Sequence, residues 1–231
     1  MIDFPTIREG RFGVLLPAYQ AGNTLGELLQ ELLQVIPSEG IILVDDGSTD
    51  ETVKKAEQYG ITVFCHEKNR GKGTALRTGL LQAQIKHWDW VITMDADGQH
   101  APLDLMHFLD SRPSTQTGIL VGTRRRSGTD MPWHRRFSNA TTTGIISLLA
   151  RTPVFDAQSG YRAYRTRLVD FLPKEGRFEW EAQALILSVR QGYGVESIPI
   201  TTLYNEQGSH MRLVRDTGRF LNMVGKLIWT R

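Results

Sequence analysis

One cysteine, Cys65, is present in 231 residues. That excludes an internal disulfide framework and suits a reducing compartment. Charge of one sign is missing too: 27 basic and 25 acidic residues leave a formal +2, which is no nucleic-acid footprint, so no nucleic-acid partner is expected. No apolar run approaches the roughly 18 residues of a membrane span. The start, Met1-Ile2-Asp3-Phe4-Pro5, does not read as a signal peptide. Repeats, low-complexity segments and linkers are absent, and no feature sets an oligomeric state. The expectation is one domain with a sizeable core. Its expected place is the cytoplasm, with any membrane contact peripheral, at the inner face of the cytoplasmic membrane.

What is present alternates. Phe12 to Pro17 reads as a first strand. Thr24 to Val35 carries Leu25, Leu28, Leu29, Leu32 and Leu33 at helical spacing, with Asn23 or Thr24 as N-cap. Ile41 to Val44 is a short continuous apolar run, as a buried parallel strand would be. A helix over Glu51–Tyr59, a strand over Ile61–Cys65, a helix over Lys72–Ala83 and a strand over Trp90–Met94 follow. A helix over Leu103–Leu109, a strand over Gly118–Gly122, a loop over Thr123–Arg136 and a helix over Ser138–Leu149 come next. The last three are a helix over Glu179–Gln191, an edge strand over Val195–Thr202 containing Pro199, and an amphipathic helix over Arg219–Trp229. This alternation predicts an α/β fold, a mostly parallel sheet with helices on both faces. Ligands then bind beyond the carboxyl ends of the strands.

The chemistry-bearing residues fall at those ends. Val91-Ile92-Thr93-Met94 leads into Asp95-Ala96-Asp97-Gly98-Gln99-His100. In extended chain, i and i+2 share a side, and two adjacent carboxylates repel unless a cation or a proton intervenes. Such a pair at a strand tip suits Mg²⁺ or Mn²⁺ against a diphosphate; the plainer reading is an acidic turn. Asp45-Asp46-Gly47-Ser48 ends another strand, where a carboxylate can meet a base or ribose hydrogen, or simply cap a helix. Asn69-Arg70-Gly71-Lys72-Gly73 opens a helix and suggests phosphate binding through backbone N–H groups, although the Walker A spacing is absent and a tight turn is the plainer reading. Arg124, Arg135 and Arg136 match phosphate geometry, whereas Arg125 and Arg126 read as solvated loop. Glu179 and Glu181 sit among aromatics, as a buried base, a phosphate-loop partner or charges at a helix N-terminus. His66, His87 and His107 read as structural.

Taken in order, Leu16-Pro17-Ala18-Tyr19, Val44-Asp45-Asp46-Gly47-Ser48-Thr49-Asp50, Asn69-Arg70-Gly71-Lys72-Gly73, Asp95-Ala96-Asp97-Gly98-Gln99-His100, Gly122-Thr123-Arg124 and Asp156-Ala157-Gln158-Ser159-Gly160-Tyr161-Arg162 resemble family 2 glycosyltransferases of the GT-A fold. They are most similar to its dolichol-phosphate (polyprenyl-phosphate) mannosyltransferase-like branch. The resemblance implies a single GT-A domain over 1–231, with a nucleotide-binding half (1–100) and an acceptor-binding half (101–231). It implies that Pro17, Tyr19 and Asp46 hold base and ribose of a nucleotide-diphosphate sugar, with Lys72 at its phosphates. It further implies that Asp95 contacts ribose or metal, that Asp97 is the main ligand of Mg²⁺ or Mn²⁺, and that Gln99 is a further ligand or a sugar contact. Arg124 and Arg135 or Arg136 would face donor or acceptor phosphates, and Ser159 and Arg162 the acceptor. Gln20-Ala21 stands where the family often has Asn-Glu, which leaves GDP and UDP both open as donor base. The membrane helices that many members of this branch carry at the C-terminus are also missing.

The reaction implied is single displacement with inversion. Asp97 with its ion, helped by Arg124, would stabilise charge on the leaving diphosphate. A polyprenyl phosphate acceptor, at the membrane surface, is already anionic; a sugar hydroxyl would need a base, for which Glu179 and Glu181 are the candidates. Rival readings are transfer to a saccharide hydroxyl in cell-surface polysaccharide synthesis, nucleotidyl transfer, and a non-catalytic sugar-nucleotide-binding relative.

Overall fold

The computed structural model describes residues 11–124, 133–201 and 213–229, with the side chains of 133–138 and 213–217 excepted. Among them, seven strands form one sheet: β1 (Phe12–Ala18), β2 (Ile41–Asp45), β3 (Thr62–Cys65), β4 (Trp90–Thr93), β5 (Thr117–Arg124), β6 (Arg162–Arg165) and β7 (Gly194–Ile200). The order is β3-β2-β1-β4-β6-β5-β7. All neighbours pair in parallel except β6, which runs antiparallel to both β4 and β5. The helices are α1 (Leu25–Leu32), α2 (Thr52–Gln58), α3 (Lys72–Ile85), α4 (Leu105–Leu109), α5 (Trp133–Ala150), α6 (Glu179–Arg190) and α7 (Leu213–Trp229).

Strand alternation divides the core in two. Val14 and Leu16 of β1 join Leu25, Leu28, Leu29 and Leu32 of α1 and Phe108 of α4 on one face. Leu15 joins Leu76 and Leu80 of α3, Ile146 of α5, Trp180 and Leu185 of α6 and Leu227 of α7 on the other. The central strands are therefore covered on both sides, which is why Ile41–Asp45 is buried throughout and its first four residues read as an unbroken apolar run. β2 lies on one side of β1 and β4 on the other, so a crevice opens at their carboxyl ends.

Three expectations need correction. The helix expected from Ser138 begins at Trp133, so Arg135 and Arg136 lie on helical backbone rather than in a loop; their side chains, and Arg125 and Arg126 altogether, lie outside the described residues. The segment expected to be helical from Leu103 opens as a 3₁₀ turn, Pro102–Asp104, and becomes α-helical at Leu105, where the buried positions Leu105, Phe108 and Leu109 begin to hold the helix on the core. The third is a strand missing from the expected elements: the Asp156–Arg162 motif runs on into β6, whose arginine ends conceal a buried strand. β7 is an edge strand, as expected, with Pro199 in it.

Candidate functional site

The β1–α1 connection is sewn to the β2–α2 connection. Backbone N–H groups of Gln20, Ala21 and Gly22 donate to Ser48 Oγ (2.8 Å), Thr52 Oγ1 (2.9 Å) and Asp50 Oδ2 (2.8 Å). Asp50 Oδ1 also accepts from the Thr52 N–H. Asp50, one residue before the N-cap Glu51, is thus the side chain that accepts from the first N–H of α2. Thr24, expected to cap α1, instead donates its hydroxyl to the Ala96 carbonyl at 2.6 Å, tying the start of α1 to the Asp95–Asp97 segment. Tyr19 stands beside Pro17 with about half its surface (47%) exposed in the crevice mouth.

The two aspartates at the end of β2 do different work. Asp46 is buried and its carboxylate is used up internally. Oδ1 meets His66 Nδ1 at 2.8 Å and the Arg70 N–H at 2.9 Å, and Oδ2 accepts from the Gly71 N–H at 2.7 Å. His66 Nε2 in turn lies 3.0 Å from Thr78 Oγ1 on α3. Asp46 thus fixes the Asn69–Gly73 turn. Asp45 Oδ2 accepts from the Ser48 N–H (2.9 Å), while its Oδ1 is buried without a hydrogen-bond partner. The turn reverses at Gly71, whose φ of +101° favours glycine and whose Cα has the Gly176 carbonyl and Arg177 crowded against it. Arg177 Nη1 donates to Asn69 Oδ1 at 3.0 Å.

Lys72, the first residue of α3, sits between two carboxylates: 2.6 Å from Asp95 Oδ1 and 3.0 Å from Glu181 Oε2 of α6. Burial alone would lower the ammonium pKa, but the two carboxylates outweigh it and raise it well above the lysine range. Burial would likewise raise Asp95; Lys72, with His100 and Arg162, holds it below the usual carboxylate value. Asp97 goes the other way, lifted by burial and by Asp95 beside it. Its Oδ1 accepts from the Gln99 N–H at 3.0 Å. Burial keeps the His100 imidazole below its ordinary value against the pull of both aspartates. Gly160 packs so tightly on Asp95 that a Cβ there would overlap the carboxylate.

Asp95, Asp97 and the Gln99 amide offer oxygen donors, the set that suits Mg²⁺ or Mn²⁺. Among the described residues no three His, Cys, Asp or Glu side chains converge on one point. A cation would relieve the repulsion and the burial that raise Asp97, so these residues fit the ion.

On the other side, Arg124 at the end of β5 pairs bidentately with Asp156, Nε to Oδ2 at 2.6 Å and Nη2 to Oδ1 at 2.9 Å, and Asn139 Nδ2 of α5 reaches the same Asp156 Oδ1 at 3.3 Å. Arg162 is fully buried. It donates to the carbonyls of Ser159 (2.8 Å), Glu181 (2.9 Å) and Ala157 (2.6 Å), so it braces the site from behind instead of facing an acceptor. The Ser159 hydroxyl is buried without a hydrogen-bond partner. Tyr161 packs between His100 and Phe108, ring centroids 5.1 and 4.8 Å apart.

The fold therefore brings Asp95, Lys72 and Glu181 into one ion-pair cluster flanked by Asp97, with the Arg124–Asp156 pair as a second, separately bonded ion pair. Sequence reasoning missed the parts played by His66 and Asp156 and could not tell Asp45 from Asp46. His66 was without a partner on paper; its partner lies 20 residues upstream. Asp156 gained meaning only through Arg124, 32 residues away. Asp45 and Asp46 are distinguishable only once the Asn69–Gly71 turn is in place.

The sequence pattern of glycosyl transferase family 2 matches residues 13–172. The UDP-N-acetylglucosamine–dolichyl-phosphate N-acetylglucosaminyltransferase of Methanococcus voltae is 30% identical over 216 residues, 84% of this chain and 86% of its own length. The polyprenol monophosphomannose synthase of Mycolicibacterium smegmatis is 26% identical over 208 residues, 84% of this chain and 78% of its own. Among solved structures, glucosyl-3-phosphoglycerate synthase from Mycobacterium tuberculosis in complex with UDP superposes with a TM-score of 0.74 at 18% identity, covering 95% of this chain and 80% of that one. The same synthase has been solved with Mn²⁺, UDP and phosphoglyceric acid. The fold is thus GT-A, as expected.

Proposed function

The chain belongs to glycosyl transferase family 2, and from that premise we propose that it moves a sugar from a GDP- or UDP-linked donor to a polyprenyl phosphate, inverting the anomeric centre. The names of the archaeal and mycobacterial relatives, which carry dolichyl phosphate and polyprenol, support the acceptor class. The observation that carries it is the 3.0 Å contact between Lys72 Nζ and Glu181 Oε2. A carboxylate paired to an ammonium is a poor general base. A phosphate acceptor asks for none: its anionic oxygen forms the new bond to the anomeric carbon while the bond to the diphosphate oxygen breaks, and no proton moves.

In this reading Pro17 and Tyr19 line the base. Asp46 acts one step removed, by fixing the turn, and the unpartnered Oδ1 of Asp45 is the carboxylate oxygen left to meet a base or ribose hydrogen. Asp97, with Asp95 and Gln99, would hold Mg²⁺ or Mn²⁺, which when bound would offset charge on the departing diphosphate. Lys72 keeps Asp95 ionised and in place. Arg124, oriented by Asp156, is the residue we assign to a phosphate of donor or acceptor, and Arg135, Arg136 and Ser159 are kept as candidates for the acceptor. Among the described residues no helix is long and apolar enough to cross a membrane; we place the protein in the cytoplasm, meeting its lipid acceptor at the bilayer surface.

Thermal-shift measurements with GDP, UDP, CDP and dTDP, each with Mn²⁺ and with EDTA, test the donor side. One nucleotide shifting the melting point only with metal is expected; no shift with any would overturn the reading. Transfer assays with polyprenyl phosphate and the matching free alcohol test the acceptor.

Transfer to a hydroxyl is the second reading, favoured by two buried oxygens that lack a hydrogen bond, Glu181 Oε1 and Glu179 Oε2. Glu181→Gln separates them. Activity within about tenfold of wild type fits a phosphate acceptor, whereas loss of the roughly 10²–10⁴-fold that a general base supplies would favour the hydroxyl.

A further inference from the structure

Lys72 is fixed from two sides of the chain. The Asp46 carboxylate holds the Gly71 N–H just before it, and the Thr74 N–H shortly after it donates to the Gly176 carbonyl at 3.1 Å. Gly73 lies so close to Trp180 that a Cβ there would overlap its side chain, so the start of α3 is pressed onto the start of α6. The ammonium is shared between Asp95 Oδ1 and Glu181 Oε2. Glu181 Oε1 makes no hydrogen bond and lies 3.9 Å from Arg162 Nε. Of the three side chains in the cluster, Asp95 keeps the most exposure, 28% against 14% for Lys72 and 10% for Glu181. An ion in the crevice can therefore reach Asp95, and it meets a carboxylate with one oxygen already in a charge-assisted bond.

We propose that Lys72 sets the affinity of the metal site: by holding Asp95, it keeps divalent-ion binding weak until a nucleoside diphosphate is present. The inference rests on the reading that Asp95 and Asp97 hold the ion. An ammonium 2.6 Å from a ligand carboxylate opposes a second cation on the same group, and that opposition stays appreciable at the effective dielectric of a protein surface. Glu181 anchors the ammonium from the far side, so Lys72 stays beside Asp95 when the ion arrives. A diphosphate shifts the balance, because its oxygens fill positions in the ion's shell and add negative charge of their own. The ion is then taken up with the donor rather than ahead of it, and the coupling between the two is reciprocal. A brace that merely ordered Asp95 would act in the opposite direction: its loss would weaken metal binding.

The test is isothermal titration of the full chain with MnCl₂ alone, and with MnCl₂ in the presence of GDP or UDP. The wild type is expected to bind Mn²⁺ weakly alone and roughly tenfold or more tightly with one of the nucleotides, within the usual range of coupling between two sites. Lys72→Met should bind Mn²⁺ alone roughly tenfold more tightly than the wild type, and Lys72→Arg, which keeps the charge, as weakly as the wild type. Lys72→Met with Glu181→Gln removes one charge of each sign, so the cluster keeps its net charge and loses the facing carboxylate pair. This double variant should still bind Mn²⁺ alone more tightly than the wild type, which reports release of Asp95 rather than a change in total charge. In urea, Mn²⁺ alone should raise the midpoint of both Met variants more than that of the wild type. Folded Lys72→Met or double-variant protein that binds Mn²⁺ alone no more tightly than the wild type would overturn the proposal, as would a wild type that binds Mn²⁺ equally well with and without nucleotide. In the first case the metal reading stands if nucleotide binding by the wild type still depends on Mn²⁺. No effect of Mn²⁺ on any of these proteins, with or without nucleotide, would overturn both.

Discussion

The ammonium of Lys72 lies 2.6 Å from Asp95 and 3.0 Å from Glu181, so one cation, from the first residue of α3, joins the tip of β4 to the first turn of α6. Three elements meet at one charge. Two carboxylates that would repel each other become a fixed pair.

Removing that charge should be felt first in stability. Lys72→Met would leave two partly buried carboxylates facing each other, and loss of one partner from such a cluster costs about 3 kcal/mol. Urea denaturation is the measurement. Adding Glu181→Gln should recover part of the loss, because the repulsion goes with it; equal stability of wild type and Lys72→Met would show the contacts to be incidental.

Asp97→Asn is expected to remove the metal dependence of nucleotide-diphosphate binding while leaving the fold intact. Isothermal titration with Mn²⁺ and with EDTA should show two separated affinities for the wild type and one for the variant, at least tenfold weaker than the wild type with metal, or about 1.4 kcal/mol. Unchanged affinity in the variant would remove Asp97 from the metal site.

Arg162→Leu should unfold readily instead of raising the acceptor KM. Three carbonyls, of Ala157, Ser159 and Glu181, depend on this guanidinium. Buried acceptors left unmet cost about 1–3 kcal/mol each. Arg162→Lys, which cannot reach all three, should fall between. A stable Arg162→Leu protein with weakened acceptor affinity would return the residue to the acceptor face.

Asp156 supplies the pH dependence. Burial would raise its carboxyl, but the bidentate bond from Arg124 and the Asn139 amide hold it below 3.8. A folded pKa depressed below the unfolded one gives stability that is fully present above about pH 3.8 and is lost as pH falls through the lower, folded value. The stability gap between wild type and Asp156→Asn should therefore be widest near neutrality and close in acid. Urea midpoints at pH 7 and below pH 3.8 read this directly; a gap that widens in acid would reverse the assignment.

Much of this was legible because the helical and strand periods are clean where one face is buried. Leu25, Leu28, Leu29 and Leu32 spell α1, and Ile41–Val44 spells a strand covered on both sides. The D-x-D pair alone would read as an acidic turn; it was legible as a candidate site because Gly98-Gln99-His100 and the other motifs accompany it in order. β6 was not: Arg162 and Arg165 bound only two other residues, and the arginine that looks like a phosphate ligand is buried by partners the local sequence does not display. Asp46 illustrates the same limit. Its role depends on where the Asn69–Gly71 turn comes to rest, a long-range contact that no periodicity encodes.

The single antiparallel strand has a consequence for how such a chain can vary. Thr93 of β4 is paired with Arg162 of β6, and Arg162 also with Val121 of β5, so β6 is read from both sides at once. Adding or deleting one residue within Arg162–Arg165 would turn the side chains beyond it to the opposite face. Length in this stretch is therefore quantised by the sheet. Differences in what the two halves of the crevice accept must arise by exchanging residues here, and by lengthening chain only elsewhere.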